Sequence, residues 1–270
     1  MTNSQERRIQ GILVFGLFVL ACMSGFLPLA AAGAKGEVRV AAAADLKFAM
    51  DELIAEFRKE RPDITVTASY GSSGNFYSQL SNRAPFDVFF SADRQFVDKL
   101  VAQDVTLPDS EFLYAVGRIV LWVSRSSSLA VEERGIAILK DPAVRRIAIA
   151  NPRHAPYGSA AVAALRSLGV YEAVKDKLVL GENVAQTAQF VQTGAAEAGV
   201  IALSLAVAPS LRKDGRFWSI PVDAYPRMDQ GGVILKWARD PEAARSFRSF
   251  VLSPAGHELL KKYGFGLPKK

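Results

Sequence analysis

Apolar residues in this chain form short runs that alternate with stretches where they recur at every third or fourth position. Runs of the first kind read as buried strands and stretches of the second kind as amphipathic helices. "EVRVAAAA" (37–44) predicts a first strand, and Leu46, Ala49, Met50, Leu53, Ile54 and Phe57 trace one helical face over residues 46–61. "DITVTASY" is a second strand after the break at Pro62, followed by the loop "YGSSGN" and a short helix over 75–82. "FDVFFSA" is apolar almost throughout, as in a strand buried on both faces, and helix resumes over 94–103.

The pattern then repeats. "FLYAVGRIVLWV" predicts one long extended run, and a loop rich in Ser and charge follows it. "RRIAIA", "KLVL" and "AGVIAL" predict strands, with helices at 159–168 and within "GENVAQTAQFVQTG". "QGGVILKWA" is extended, and "PEAARSFRSFVL" and "SPAGHELLKKYGF" close the chain as helices with Pro near their starts. Strands alternating with helices imply an α/β protein with mostly parallel sheets flanked by helices. Ligands of such sheets gather at the carboxyl ends of the strands. The loops "AADL", "YGSSGN", "NPRHAPYG" and "GENVA" all stand at strand-to-helix transitions.

The N-terminus changes the picture of where the protein works. Arg7 and Arg8 precede an apolar stretch from about Ile9 to Leu29, and Ala32-Gly33-Ala34 fits a cleavage site, so residues 1–34 read as an export signal. Pro28 and the small-residue tail argue against a retained anchor. Cys22 is the only cysteine and lies in this leader, in a loose lipidation context whose following residues stay apolar; discard with the leader is the favoured reading, a lipid anchor the alternative. The remaining residues, 35–270, suffice for one large domain or two lobes. Removing Arg7, Arg8 and Glu6 lowers the formal net charge of +6 by only one, and no basic cluster is interleaved with aromatics, so nucleic acid is not an expected partner.

Candidate chemistry is sparse. Helix N-termini carry unpaired N–H groups and partial positive charge, and several aimed at one cavity hold an oxyanion without basic side chains. "YGSSGN" suits that task, and equally suits a glycine turn with a serine cap. A nucleophile elbow needs Gly where Asn75 stands, and no phosphate-loop motif occurs. Outside the leader, His154 and His257 are the two histidines of the chain; a Ser73–His154 pair is the one hydrolase candidate, with His154 as a local packing or capping residue the plainer reading. Cysteine or paired-histidine metal ligation is not on offer, and neither a cofactor nor a metal cation is expected.

Taken in order, "VAAAADLKFAMDELIAEF", "YGSSGNFYSQL", "APFDVFFSADRQFVDKL", "LYAVGRIVLWV", "ANPRHAPYGSAA", "GAAEAGVIALS" and "SPAGHELLKKYGF" resemble the periplasmic molybdate-binding proteins of bacterial ABC importers. The resemblance spans nearly all of residues 35–270. It implies a two-lobed periplasmic binding protein fold with a ligand cleft between the lobes: residues 35–116 and 233–270 in lobe 1, and 117–232 in lobe 2. It also implies anion contacts from Ala44 and Asp45, from Ser73 with Ser72 beside it, from Tyr157, and from the backbone N–H of Val184. The implied role is capture of molybdate, and of tungstate as well, by a periplasmic monomer that delivers it to a membrane-embedded ABC permease and performs no catalysis. Another oxyanion such as sulfate or phosphate, or an organic acid, is the alternative cargo.

Two positions depart from that family's pattern. Ala202 stands where many members have a tyrosine, and the Tyr157 hydroxyl is a candidate substitute. Asp45 stands where the family usually has Ser or Asn, and an ionised carboxylate about 4 Å from a dianion repels it by several kcal/mol at a partly buried dielectric. The favoured reading makes Asp45 an N-cap bonded to the N–H of Lys47 or Phe48 and turned from the cavity. The sharper one makes it the mark of a changed ligand, or of binding only when protonated.

Overall fold

The computed structural model describes residues 36–268, so the expected leader and Cys22 lie outside the described residues. Strand β1 (Gly36–Ala43) sends Val38, Val40 and Ala42 to one face and Ala41 to the other. This is the period-two alternation of a strand buried on both sides. A 3-10 turn, Ala44–Leu46, leads into α1 (Lys47–Glu60). There follow β2 (Ile64–Gly71), α2 (Ser73–Ser81), β3 (Val88–Ser91), α3 (Arg94–Ala102) and β4 (Phe112–Gly117).

The chain then builds a second set: β5 (Ile119–Ser124), α4 (Val131–Arg134), β6 (Ile147–Ala150), α5 (Pro156–Ser167), α6 (Tyr171–Val174), β7 (Leu178–Gly181) and α7 (Val184–Gln192). After β8 (Ala198–Ala202) come α8 (Leu203–Ala206), α9 (Pro209–Arg212) and β9 (Gly215–Ser219). Strand β10 (Met228–Ile234), α10 (Pro241–Val251) and α11 (Pro254–Lys262) end the fold.

Two five-stranded mixed sheets result, in the orders β2-β1-β3-β10-β4 and β7-β6-β8-β5-β9. In each, four strands run in one direction and the fifth, β10 in the first sheet and β5 in the second, runs antiparallel to them. One face of the first sheet packs Phe90 against Phe57 and Phe247, and the other packs Phe89 with Phe76 and Leu100. The second sheet is enclosed in a core that includes Trp122, Ile149 and Ile201.

Several expectations are refined. The single extended run over 112–123 is two strands in two sheets, broken at Arg118. Residues 228–232, expected with the middle lobe, pair with β4 in the first sheet, from Met228 opposite Gly117 to Gly232 opposite Phe112. Gly232 explains why β10 fits there: a Cβ on it would stand 2.4 Å from the Phe112 ring. A register shift between Gln230 and Gly231 marks a bulge, a device that re-aims a side chain. Strand β9, the 3-10 stretch Gly135–Lys140 and the four-residue helices α4, α6, α8 and α9 were not expected, being too short to show a period.

Candidate functional site

The carboxyl ends of β1 and β2 in the first sheet and of β6 and β7 in the second lead into turns around one small cavity of about 10 Å³. Ala44, Asp45, Ser72, Ser73, Tyr157 and Val184 all border it, so the structure brings together every position expected from sequence. Ala92, Pro156 and Asn183 also line it and had not been singled out. Among the described residues, no basic side chain contributes to the lining.

Side-chain caps are present at some helix starts and absent at others, around the cavity as elsewhere. Asp93, Asp240 and Ser253 cap α3, α10 and α11 with side-chain oxygens. The 3-10 turn at Ala44, α2 and α5 have no such cap. Helix α7 is capped by Asn183, whose Oδ1 accepts from Ala185 and Gln186 N–H at 3.0 and 3.1 Å. The N–H of Val184, at the first helical position, has no intrahelical acceptor. Tyr157 is the second residue of α5, behind Pro156, which has no N–H to satisfy. Uncapped N–H groups and the positive ends of the helix dipoles therefore converge on one point, the arrangement that holds anions.

The two serines of "YGSSGN" have separate tasks. Ser73 is fully buried, and its Oγ accepts from Ala92 N–H at 2.9 Å, which leaves its own proton for an acceptor in the cavity. Ser72 stands at the N-cap position of α2, yet its hydroxyl meets His154 Nδ1 at 2.9 Å and does not cap the helix. Gly74 N–H donates to the His154 carbonyl at 2.8 Å, and Asn75 Nδ2 bonds Glu182. This loop of the first sheet thus clasps two loops of the second. Gly74 serves the clasp and not the ligand: a Cβ there would stand 2.6 Å from the His154 carbonyl oxygen. Gly74→Ala is accordingly expected to weaken ligand binding at least about tenfold by holding the cleft ajar. The unfolding midpoint of the empty protein should stay nearly unchanged, because Ala suits a first helical turn better than Gly. Titration and thermal unfolding of the same sample check both halves.

Ser72, His154 and Glu182 lie in line, but not as a hydrolytic triad. The imidazole approaches Glu182 only at 3.7 Å, and that carboxylate is 57% exposed. Ser73, the serine of the hydrolase candidate, bonds Ala92 and not His154.

Asp45 overturns the favoured expectation. It caps neither the 3-10 turn nor α1. Its side chain is buried, and Oδ2 accepts from Tyr157 Oη at 2.9 Å and from Gln230 Nε2 at 2.8 Å. Gln230 Nε2 also reaches Tyr157 Oη at 3.1 Å, and Ser204 Oγ donates to the Asp45 carbonyl at 2.8 Å. Asp45 Oδ1 and Gln230 Oε1 are buried without partners. Burial pushes the Asp45 carboxyl up to about 6, against the opposing pull of Gln230, Tyr157 and nearby backbone N–H groups. The Tyr157 phenol is pushed well above its ordinary range, first by burial and then by the Asp45 charge.

The Tyr157 hydroxyl is therefore engaged with Asp45, and the backbone of Tyr157 is what α5 presents. Ala202, buried at the end of β8, does not border the cavity. Gly117 makes room for the trio, since a Cβ on it would stand 2.7 Å from both Tyr157 Oη and Gln230 Nε2. Sequence reasoning missed Gln230, whose only signal was a polar residue opening an apolar run.

Residues 38–266 match the family described as bacterial extracellular solute-binding proteins. The chain belongs to that family. Among its solute-binding relatives, the molybdate-binding protein ModA of Azotobacter vinelandii is 41% identical over 92% of this chain and 96% of its own length. ModA of Rhodobacter capsulatus is 37% identical over 93% and 95%. The solved structure of the Azotobacter vinelandii periplasmic molybdate-binding protein superposes with a TM-score of 0.80 at 32% identity, covering 86% of this chain and 100% of that one. The two-lobed binding-protein fold is thereby established, and so is the class: a solute-binding protein, not an enzyme.

Proposed function

We propose that this protein captures molybdate, with tungstate as a second cargo, in the cavity between its two sheets and delivers it to a membrane-embedded ABC permease. The observation that carries this reading is the convergence of side-chain-uncapped helix N-termini on a cavity without basic lining. At about 10 Å³ it lies far below the roughly 300 Å³ at which pockets for organic ligands begin. That favours a compact inorganic anion over an organic acid. The identity of relatives that are molybdate-binding proteins supports the choice among oxyanions.

In this reading the first lobe comprises residues 36–117 and 228–268 and the second comprises 118–227, following the two sheets. Ser73 donates its hydroxyl proton to the anion. Ala44, Asp45, Tyr157 and Val184 donate backbone N–H groups, and Ser72 holds the cleft shut through His154. The protein acts as a periplasmic monomer released from the leader at residues 1–34. Calorimetric titration of residues 35–270 tests it: one molybdate per chain, bound tightly, with sulfate giving little heat. Heat from sulfate or phosphate with none from molybdate would overturn it. Ser73→Ala removes a hydrogen bond to a charged group, so binding should weaken by about 1.5–3 kcal/mol. An unchanged dissociation constant in that titration would remove Ser73 from the site.

A further inference from the structure

The carboxylate of Asp45 borders the cavity in which an anion is to be held. Nothing basic compensates it: a phenol of the opposite lobe and an amide of its own lobe donate to Oδ2, the backbone N–H groups of Asp45 and Leu46 lie nearby, and Oδ1 makes no hydrogen bond. A buried carboxylate oxygen without a donor is a costly group when ionised, and a dianion brought beside it raises that cost further. Both costs disappear when the carboxyl carries a proton.

We propose that Asp45 couples anion capture to proton uptake, so that the closed, loaded site holds the dianion beside a neutral Asp45 carboxylic acid. The proposal rests on the reading of the cargo as an oxyanion. The step balances simply: one dianion and one proton enter, the proton goes to Asp45, and no covalent bond of the anion changes. In the empty closed site burial already pushes this carboxyl up to about 6, which is the direction required. A bound dianion moves it further the same way.

The groups facing Asp45 do not offer an alternative proton site at neutral pH. Tyr157 from α5 and Tyr114 from β4 are both pushed well above the ordinary phenol range, chiefly by burial. Gln230 from β10 and Ser204 from α8 are neutral. Helix α7 carries no ionisable side chain. On α1, Lys47 pairs with Asp51, which also accepts from Tyr70 of β2, and Asp51 lies at the surface. His154 is the remaining group to consider, because it closes the cavity's rim through Ser72 and Glu182.

The test is molybdate titration of residues 35–270 between pH 5.5 and 8.5, where molybdate is fully a dianion. It is repeated at pH 7.5 in buffers of different ionisation enthalpy, and with Asp45→Asn and His154→Gln. Linkage requires close to one proton taken up per anion at pH 7.5 and a dissociation constant that rises about tenfold per pH unit above 7. Asp45→Asn, which keeps the shape of the neutral acid, should bind molybdate with no proton uptake and a flat pH profile. His154→Gln should keep the uptake. Tight binding by the parent protein with no proton uptake overturns the proposal and leaves the cargo assignment standing. Uptake that persists in Asp45→Asn overturns it also, placing the proton elsewhere. Absence of molybdate binding at every pH overturns the cargo assignment itself. Parent-protein calorimetry decides the case even if Asp45→Asn fails to fold.

Discussion

Gly158→Ala is expected to weaken molybdate binding by about a hundredfold, equivalent to the loss of one or two hydrogen bonds to a charged group at about 1.5–3 kcal/mol each. Gly158 is the third residue of α5, and its Cα lies against the end of β6. An added Cβ would stand 2.0 Å from the Ala150 carbonyl oxygen, 2.6 Å from its carbon and 2.9 Å from the carbonyl carbon of Asn151. These are backbone atoms of a buried strand end, so side-chain rotation brings no relief. The start of α5 has to move away by about an ångström to reach ordinary contact. That motion carries the Tyr157 N–H off the cavity and pulls the Tyr157 hydroxyl from Asp45, now 2.9 Å away. Overpacking of this kind costs about 1–3 kcal/mol of stability, or several degrees of unfolding midpoint for a chain of this size. Titration calorimetry and thermal unfolding together read both effects. Undiminished affinity in a folded Gly158→Ala protein would show that the α5 N-terminus does not hold the ligand. The comparison with Gly74→Ala is informative because that glycine abuts the opposite lobe, so its replacement should affect closure and spare the fold.

The sequence made these loops legible for a simple reason: strands and helices here are long enough to show their periods, and the loops are what remains between them. The alternation of Val38, Val40 and Ala42 against Ala41, and the helical spacing from Ala49 to Phe57, locate β1 and α1 without help from tertiary structure. Positions along "YGSSGN" and "HAPYGSA" follow from their place at strand ends. The sequence cannot show which lobe a hydroxyl will face. Ser72 and Ser73 are neighbours of one type, yet one reaches His154, 82 residues away, and the other accepts from Ala92. Gln230 is the sharper case, since a bulge in β10 aims it at Asp45, 185 residues distant in the chain. Local rules favoured a helix cap for Asp45 because Asp before a helix is an N-cap by propensity. The long-range donors outcompeted that local bond. Nothing within "AADLK" encodes Tyr157 or Gln230.

Asp45→Asn is expected to stabilise the protein at pH 8 by about 2–3 kcal/mol relative to its effect at pH 4. The carboxyl rises from an ordinary value of 3.8 to about 6 on folding, chiefly through burial. The shift of roughly two pH units corresponds to about 3 kcal/mol. Its sign follows from which form the fold prefers. The folded protein binds the proton more tightly than the unfolded chain, so the neutral acid's contribution is fully present below pH 3.8 and is lost as pH rises through about 6. Above that range the fold carries a buried anion with one unpartnered oxygen. The asparagine variant keeps the shape and never acquires the charge. Urea unfolding of both proteins at pH 4 and pH 8 measures the change, and it is the difference between the two pH values that matters, because altered packing would shift both equally. A difference that stays below about 1 kcal/mol would mean that Asp45 is hydrated in the empty protein at pH 8. The lobes of the empty protein would then stand apart under those conditions, breaking the bond from Tyr157. A difference of about 2–3 kcal/mol would mean that the cleft stays shut around an ionised Asp45. The energy that a bound proton relieves would then be stored in the empty site, ready to favour an anion that arrives together with one.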